Sequence, residues 1–232
     1  MVNGLMILLG ESFRSGGQNT RERGKPESVK EQMNACKSHI DFINSYNDVK
    51  WNIRLYTYST NYNSLLINNY GSYLEKYNFL ISEPIGLQKL YEMSIENLPA
   101  YDFIFVCRID LYLKPEFIFI FNYRWKEIKF PFICWKNRGG DIVNLYPRVS
   151  DTMIFIPKKY NPKDINLNHE GWMLLIKNGY TIDDIDVMIN TYHDSDSQKD
   201  YNPIYYIVNR PKTTNWFSRG EYFNKDFFRF IK

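Results

Sequence analysis

The run YDFIFVCRIDLYLKP, Tyr101 to Pro115, constrains this chain more than any other segment. Five apolar residues, Phe103 to Cys107, lead directly into Arg108 and Asp110. A short, continuously apolar run of this kind reads as a strand covered on both faces of a sheet. Charged side chains are costly to bury unless they are paired or bound to a metal. Arg108 and Asp110 therefore belong where the strand leaves the sheet, and in open α/β sheets that edge opens onto the ligand crevice. Residues two apart on an extended chain share a side, so the two could simply form a salt bridge. In the functional alternative Asp110 holds a divalent cation, and Arg108 fixes a phosphate or orients the carboxylate.

The rest of the chain alternates between strand-like and helix-like segments. GLMILLG (4–10) is a buried strand, followed by the polar loop FRSGGQNTRERGKPE (13–27). Val29, Met33, Cys36, Ile40 and Ile43 recur at spacings of four and three, which predicts a helix over 28–45. Ser28 and Glu31 suit a capping box at its start. WNIRLYTYS (51–59) and YNFLIS (77–82) are strands, and 85–98 is a second helix leading into the Asp110 strand. FPFICWK (130–136), a loop at Gly139 and Gly140, the strand DTMIFIP (151–157) and a helix over 170–177 follow. The remainder is polar and aromatic without clear periodicity. Such alternation implies a sheet with helices on both faces. Neither a repeat nor a low-complexity linker divides the 232 residues, so a single domain over 1–232 is expected.

A net charge of +3 is too small to imply nucleic-acid or membrane binding. The apolar stretch Leu5 to Leu9 is far too short to span a bilayer and lacks the flanks of a signal peptide. Three cysteines, Cys36, Cys107 and Cys134, show no metal spacing, and their odd number argues against a disulfide framework. A reducing, cytoplasmic setting is expected. Tyr and Phe are abundant, with 19 and 16 copies; biased composition accounts for much of that excess, and stacking surfaces for planar or sugar-like ligands are the functional alternative.

Four segments carry candidate chemistry. Gly10, Glu11, Ser12 and Arg14, with Ser15, Gly16, Gly17 and Gln18, follow the first strand. Glycines there let the backbone approach a ligand, and a following helix would aim its N-terminus at it. Neither a Walker loop nor a dinucleotide fingerprint is present. Arg14, Arg21, Arg23 and Lys25 make the loop basic enough for a diphosphate, although a solvated surface loop has the same composition. The Arg108–Asp110 pair is the second segment. Asp151, at the mouth of an apolar strand, is the third, either as an acceptor of a hydroxyl proton or as a turn former. His193 in Tyr192-His193-Asp194-Ser195-Asp196-Ser197 is the fourth, either a metal ligand supported by nearby acids, Asp186 and Asp200 included, or part of a solvated loop. His39 and His169 fall on predicted helices and read as structural.

The order of strand, Gly/Arg loop, helix, strand, helix, strand ending in Arg-Ile-Asp-Leu, Ser-Asp-Thr before a strand, and a late His resembles a small GT-A glycosyltransferase. The closest likeness is to the lipopolysaccharide-type and large-DNA-virus glycan transferases, which commonly carry Arg-x-Asp where other relatives have Asp-x-Asp. The resemblance implies a GT-A-like α/β fold: a mixed, mostly parallel sheet flanked by helices, with a Rossmann-like N-terminal half. It implies a nucleotide-binding half over 1–115 and an acceptor-binding half over 116–232. By the same resemblance Asp110 and His193 hold Mn²⁺ or Mg²⁺, Gly10, Glu11, Ser12, Arg14 and Arg108 meet the donor, and Asp151 lies near the acceptor. Arg108 stands where the first Asp of the usual pair would be, so the metal site is lean or the guanidinium partly replaces the cation's charge.

The implied reaction is metal-assisted transfer of a hexosyl or pentosyl group from a UDP- or GDP-sugar to a glycan hydroxyl. The cation and the arginines would stabilise the departing diphosphate. Asp151 would take the acceptor proton if the reaction inverts; retention stays open. Two other classes remain: a sulfotransferase, because Phe13-Arg14-Ser15-Gly16-Gly17 superficially resembles its phosphate loop, and a non-catalytic glycan-binding protein on the same fold.

Overall fold

The computed structural model describes residues 1–16, 22–82, 84–134, 148–189, 192–193 and 204–208, and of Cys134, Tyr192 and His193 the backbone alone. The loop at Gly139 and Gly140, the acids Asp194, Asp196 and Asp200, and Gly17, Gln18 and Arg21 lie outside the described residues. In chain order the elements are β1 (Val2–Gly10), β2 (Arg14–Ser15), β3 (Glu22–Arg23), α1 (Val29–Asn44), β4 (Val49–Tyr58), α2 (Asn63–Tyr70), β5 (Leu74–Leu80), α3 (Leu87–Ser94) and β6 (Phe103–Arg108). They continue with β7 (Leu111–Leu113), α4 (Pro115–Ile120), β8 (Ile128–Phe130), β9 (Ile133–Cys134), β10 (Met153–Pro157), α5 (Gly171–Lys177), β11 (Ile185–Val187), β12 (Tyr192–His193) and β13 (Tyr205–Ile207).

Seven strands form one sheet in the order β11-β8-β10-β6-β1-β4-β5. β6, β1, β4 and β5 run parallel, and β8 and β11 are parallel to each other. Only β10 is inverted within this sheet, pairing antiparallel with both β6 and β8. The expected α/β architecture, a mixed and mostly parallel sheet with helices on both faces, is what the chain adopts. β1 lies between β4 and β6, so its apolar side chains are covered on both sides. Met6 and Leu8 join a core with Cys36, Phe42 and Leu66, whereas Leu5, Ile7 and Leu9 pack with Leu90, Tyr91, Trp172 and Leu175. α1 and α2 thus cover one face, and α3 and α5 the other. Gly4 is required by this packing, because a Cβ there would sit 2.6 Å from the Phe103 ring.

Much of the aromatic content is core. Phe42 meets Tyr46, Trp51, Phe105, Phe117 and Phe121 at ring-centroid distances of 4.9–5.7 Å. Cys36 and Cys107 are free and buried. Among the described residues, no helix is long and apolar enough to cross a membrane.

Several local expectations change. Ser28 forms no cap on α1, because it lies in helical geometry (φ −82°, ψ −14°) at the end of a 3₁₀ turn. Its hydroxyl donates backwards to the Lys25 carbonyl at 2.7 Å, whereas a capping side chain needs an extended backbone. The second helix spans only Leu87–Ser94. Gly86 (φ +83°) turns the chain into it, and the buried Arg54 guanidinium donates to the carbonyls of Ser94, its last residue, and of Glu96 and Asn97 beyond it. FPFICWK is broken at Pro131 into β8 and β9, as a residue without an N–H requires. α2 and α4 escaped the reading of the sequence. NSLLINNY has a narrow apolar face, and PEFIFI looks strand-like by composition, but Pro115 at the first helical position favours the helix.

One buried histidine ties α1 to the segment after β6. His39 Nε2 donates to the Leu111 carbonyl at 2.8 Å, leaving Nδ1 to accept from the Tyr70 hydroxyl at 2.9 Å. The Leu113 N–H donates to Ser38 Oγ at 2.9 Å, so α1 side chains serve one edge of β7 while β13 pairs with the other. Burial lowers the His39 pKa to about 4. Between that value and the ordinary 6.5, only the unfolded chain takes the proton, so stability falls as pH falls through this window. In urea unfolding at pH 7 and pH 4.5, wild type should lose roughly 2–3 kcal/mol more than His39→Gln over the same interval.

Candidate active site

The parallel strands create the site by their order. The chain runs outward from β1 to β4 and β5, then returns to place β6 on the opposite side of β1. The crevice between the C-terminal ends of β1 and β6 is therefore a topological switch point, where the outgoing segments diverge and leave room for a ligand. Leu9 pairs with Arg108 in register, and the Ile109 N–H donates to the Leu9 carbonyl at 2.8 Å, which locks the two strand ends together. A cleft of about 200 Å³ opens here, lined by Gly10, Glu11, Arg14, Arg108 and Asp151 with Tyr58, Pro84, Gly86, Leu87 and Leu90.

Gly10 (φ +111°) and Phe13 (φ +50°) turn the chain sharply out of β1. A non-glycine residue at positive φ is strained by about 1 kcal/mol. Phe13 offsets that by complete burial, by its N–H bond to Gln32 Oε1 at 3.1 Å and by ring contact with Tyr62 at 5.3 Å. Gln32 also donates to the Ile109 carbonyl at 2.9 Å, so one side chain of α1 joins the loops after β1 and β6. Arg14 then enters the short hairpin β2–β3 rather than leading directly into a helix. The helix expected after this loop is α1, which begins at Val29, beyond the hairpin and a 3₁₀ turn.

The charged side chains form an alternating series. Arg108 clasps Asp110 with two parallel bonds, Nε to Oδ1 at 2.9 Å and Nη2 to Oδ2 at 2.6 Å. Arg14 Nη2 stands 3.8 Å from the same Oδ2, and its Nη1 is 3.4 Å from Glu11 Oε2. Burial works against the charge of Arg108, but Asp110 and then Asp151 outweigh it and raise its pKa. Arg14 is only 5% exposed, and its Nε has no hydrogen-bond partner among the described residues. A buried guanidinium with an unspent donor beside a cleft is suited to an incoming anion.

Of the sequence candidates, Gly10, Glu11, Arg14, Arg108 and Asp151 share the cleft. Asp110 and Ser12 stand behind it. Ser12 is fully buried, and its N–H donates to Thr57 Oγ1 at 3.1 Å while its hydroxyl accepts from the same group at 3.0 Å. The His193 side chain lies outside the description; its backbone pairs in β12 with Cys134. Asp186, expected near it, is engaged by Lys129 at 2.6 Å. Of the other described basic residues of the loop, Arg23 lies over the ring of the cleft residue Tyr58 at 4.7 Å, and Lys25 is paired with Glu22 at 3.0 Å.

Among the described residues, no group of three His, Cys, Asp or Glu side chains converges as a metal site. The Asp110 carboxylate has both oxygens on Arg108 and a second guanidinium beside it. A cation there would displace a bidentate partner and face two positive groups, so the described residues around Asp110 do not fit it.

Sequence reading missed the wall of Tyr58, Pro84, Gly86, Leu87 and Leu90. Tyr58 was findable, because it ends β4 at the same sheet edge. Tyr205 was not findable from local pattern. Its hydroxyl meets Thr152 Oγ1 at 2.6 Å and Ser150 Oγ at 3.1 Å, and these two hydroxyls meet at 2.7 Å. Ser150 and Thr152 are held on one side of the chain, which leaves Asp151 between them free to line the cleft. A larger cavity of about 520 Å³ near Leu98, Tyr101, Pro157 and Tyr160 has lysines but no carboxylate or histidine in its lining, so it lacks a proton acceptor of that kind.

No family model matches the chain, and no curated protein matches it in sequence. Among solved structures it is similar to S. aureus TarS, with 10% identity and a TM-score of 0.47 over 89% of this chain and 36% of that one. It is also similar to the apo-form glycosyltransferase GlyE of Streptococcus pneumoniae TIGR4, with 10% identity and a TM-score of 0.35 over 68% of this chain and 34% of that one. The chain spans about a third of the length of either.

Tyr205→Phe should remove a buried hydroxyl shared by Ser150 and Thr152. Urea unfolding is expected to show a loss of about 1–2 kcal/mol, since the two remaining hydroxyls can still pair. An unchanged midpoint would mean that the network does not hold this turn.

Proposed function

We propose that this chain is a glycosyltransferase of GT-A type that moves a hexosyl or pentosyl group from a UDP- or GDP-sugar to a hydroxyl of a glycan acceptor. One observation carries the reading. At the β1/β6 crevice two guanidiniums, Arg14 and Arg108, share a cleft with the carboxylate of Asp151 and with an apolar wall that includes Tyr58. Transfer of a sugar from a nucleoside diphosphate needs these three kinds of surface. Negative charge builds on the departing diphosphate, and preorganised cationic donors stabilise it. The acceptor hydroxyl must lose a proton to a base within reach. Rings of the donor need a flat or aliphatic surface.

In this reading the Asp151 carboxylate takes the proton of the acceptor hydroxyl as the acceptor's oxygen bonds to the anomeric carbon. The bond from that carbon to the diphosphate oxygen breaks, and its electron pair stays on the diphosphate beside Arg14 and Arg108. The cleft volume of about 200 Å³ is below the roughly 300–1,000 Å³ of a whole small-molecule site. It matches the diphosphate end of a donor rather than all of it. The hairpin after Phe13, in place of a loop leading directly into a helix N-terminus, favours this class over a sulfotransferase.

The experiment is a release assay with UDP-sugars, GDP-sugars and a sulfonate-donor nucleotide against a panel of glycan acceptors. Nucleoside diphosphate should appear only with a sugar donor. Asp151→Asn should lower kcat by about 10²–10⁴-fold with little change in nucleotide affinity, and Arg14→Lys should weaken nucleotide binding first. Binding of a glycan with no turnover of any donor would replace the enzyme by a glycan-binding protein. Turnover of the sulfonate donor alone would replace it by a sulfotransferase.

A further inference from the structure

We propose that Asp110 is not a cation ligand but a buried positioning residue, the counter-ion that aligns Arg14 and Arg108, and that the cleft takes a diphosphate without a divalent cation. This rests on reading the cleft as a diphosphate site. The geometry behind it is a division of places. Arg14 and Arg108 line the cleft, whereas Asp110, 2% exposed, lies behind both. Its Oδ2 lies between the two guanidiniums, 2.6 Å from Arg108 Nη2 and 3.8 Å from Arg14 Nη2. Its backbone is pinned as well, because its carbonyl accepts from the Val208 N–H at 2.9 Å and the preceding N–H is bonded to Leu9.

Two guanidiniums this close repel each other, and a carboxylate between them offsets that repulsion and fixes their separation. The two arginines are bound in different ways. Arg108 spends Nε and Nη2 on Asp110. Arg14 is attracted to Asp110 across 3.8 Å, beyond hydrogen-bond range, with its Nη1 at the long distance of 3.4 Å from Glu11 and Nε without a partner among the described residues. Arg14 is therefore held in place by charge while keeping donors for a ligand. A diphosphate carries two charged groups and can give each arginine its own phosphate, which a single phosphate cannot.

The test uses the full chain in EDTA. Calorimetric titrations with inorganic pyrophosphate and with inorganic phosphate are run on wild type and Asp110→Asn. Separately, Mn²⁺ alone is titrated into wild type and followed by electron paramagnetic resonance. Wild type should bind pyrophosphate in EDTA, and the Mn²⁺ spectrum should remain that of the free ion. Asp110→Asn should weaken pyrophosphate about tenfold, the worth of one charge-assisted contact. It should affect phosphate much less, so that the preference for pyrophosphate falls. The direction discriminates, because removing a nearby negative charge without loss of alignment would tighten anion binding. Tighter pyrophosphate binding in Asp110→Asn, a requirement for Mn²⁺, or Mn²⁺ binding that Asp110→Asn abolishes would each overturn the proposal. If Asp110→Asn does not fold, Arg108→Lys keeps the charge but loses the parallel bonds, and the same fall in pyrophosphate preference is expected. If no sugar donor is turned over but these titrations behave as stated, the transferase reading fails and this one stands. Absence of pyrophosphate binding in EDTA sinks this one whatever the donor screen finds.

Discussion

A strand that is apolar along both faces is stable only between two other strands and beneath helices on both sides. β1 is such a strand, and the rest of the architecture follows from covering it. Leu5, Ile7 and Leu9 on one face, and Met6 and Leu8 on the other, bring α3 and α5 to one side of the sheet and α1 and α2 to the other. β4 and β6 satisfy its backbone along both edges. The same arrangement leaves no room for charge along β1 itself, and Glu11, Arg14, Arg108 and Asp110 collect where β1 and β6 end.

At that edge, burial and charge are balanced by pairing rather than by exposure. Asp110 is nearly inaccessible, and Arg14 is little more so. A lone buried carboxylate or guanidinium there would cost several kcal/mol. Their alternation from Glu11 through Arg14, Asp110 and Arg108 makes the group tolerable as a set. It also leaves the set rigid, because Gln32, the Leu9 carbonyl and the Val208 N–H hold the loops that carry it. Rigidity of this kind is what a site needs if its donors are to meet developing charge without reorganising.

Much of this was legible beforehand because the signals were local. The apolar run before Arg108 marks a covered strand, and a charged residue at its end marks a sheet edge. The spacing of Val29, Met33, Cys36, Ile40 and Ile43 marks α1. The extended-chain rule also placed Arg108 and Asp110 on one side, where they do pair. Other signals misled. Ser28 has the right spacing from Glu31 for a cap, but the 3₁₀ turn before it fixes its backbone in the wrong region. PEFIFI has strand-forming residues, but a proline at the first helical position decides for a short helix.

The sequence by itself determined that the chain forms a covered, mostly parallel sheet, that Gly10, Arg108 and Asp151 stand at strand ends, and that Arg14 lies in the loop after the first strand. Those properties depend on hydrophobic run length and on the cost of burying charge, which act over a few residues. Only the tertiary structure decided which strand ends are neighbours, that Asp110 serves two arginines from behind the cleft, and that Tyr58 and Leu90 form its apolar wall. It also decided that Tyr205, more than fifty positions from Ser150 and Thr152, braces the turn that carries Asp151. Such contacts join segments far apart in the chain. They are set by strand order and register, and no local pattern of residues encodes them.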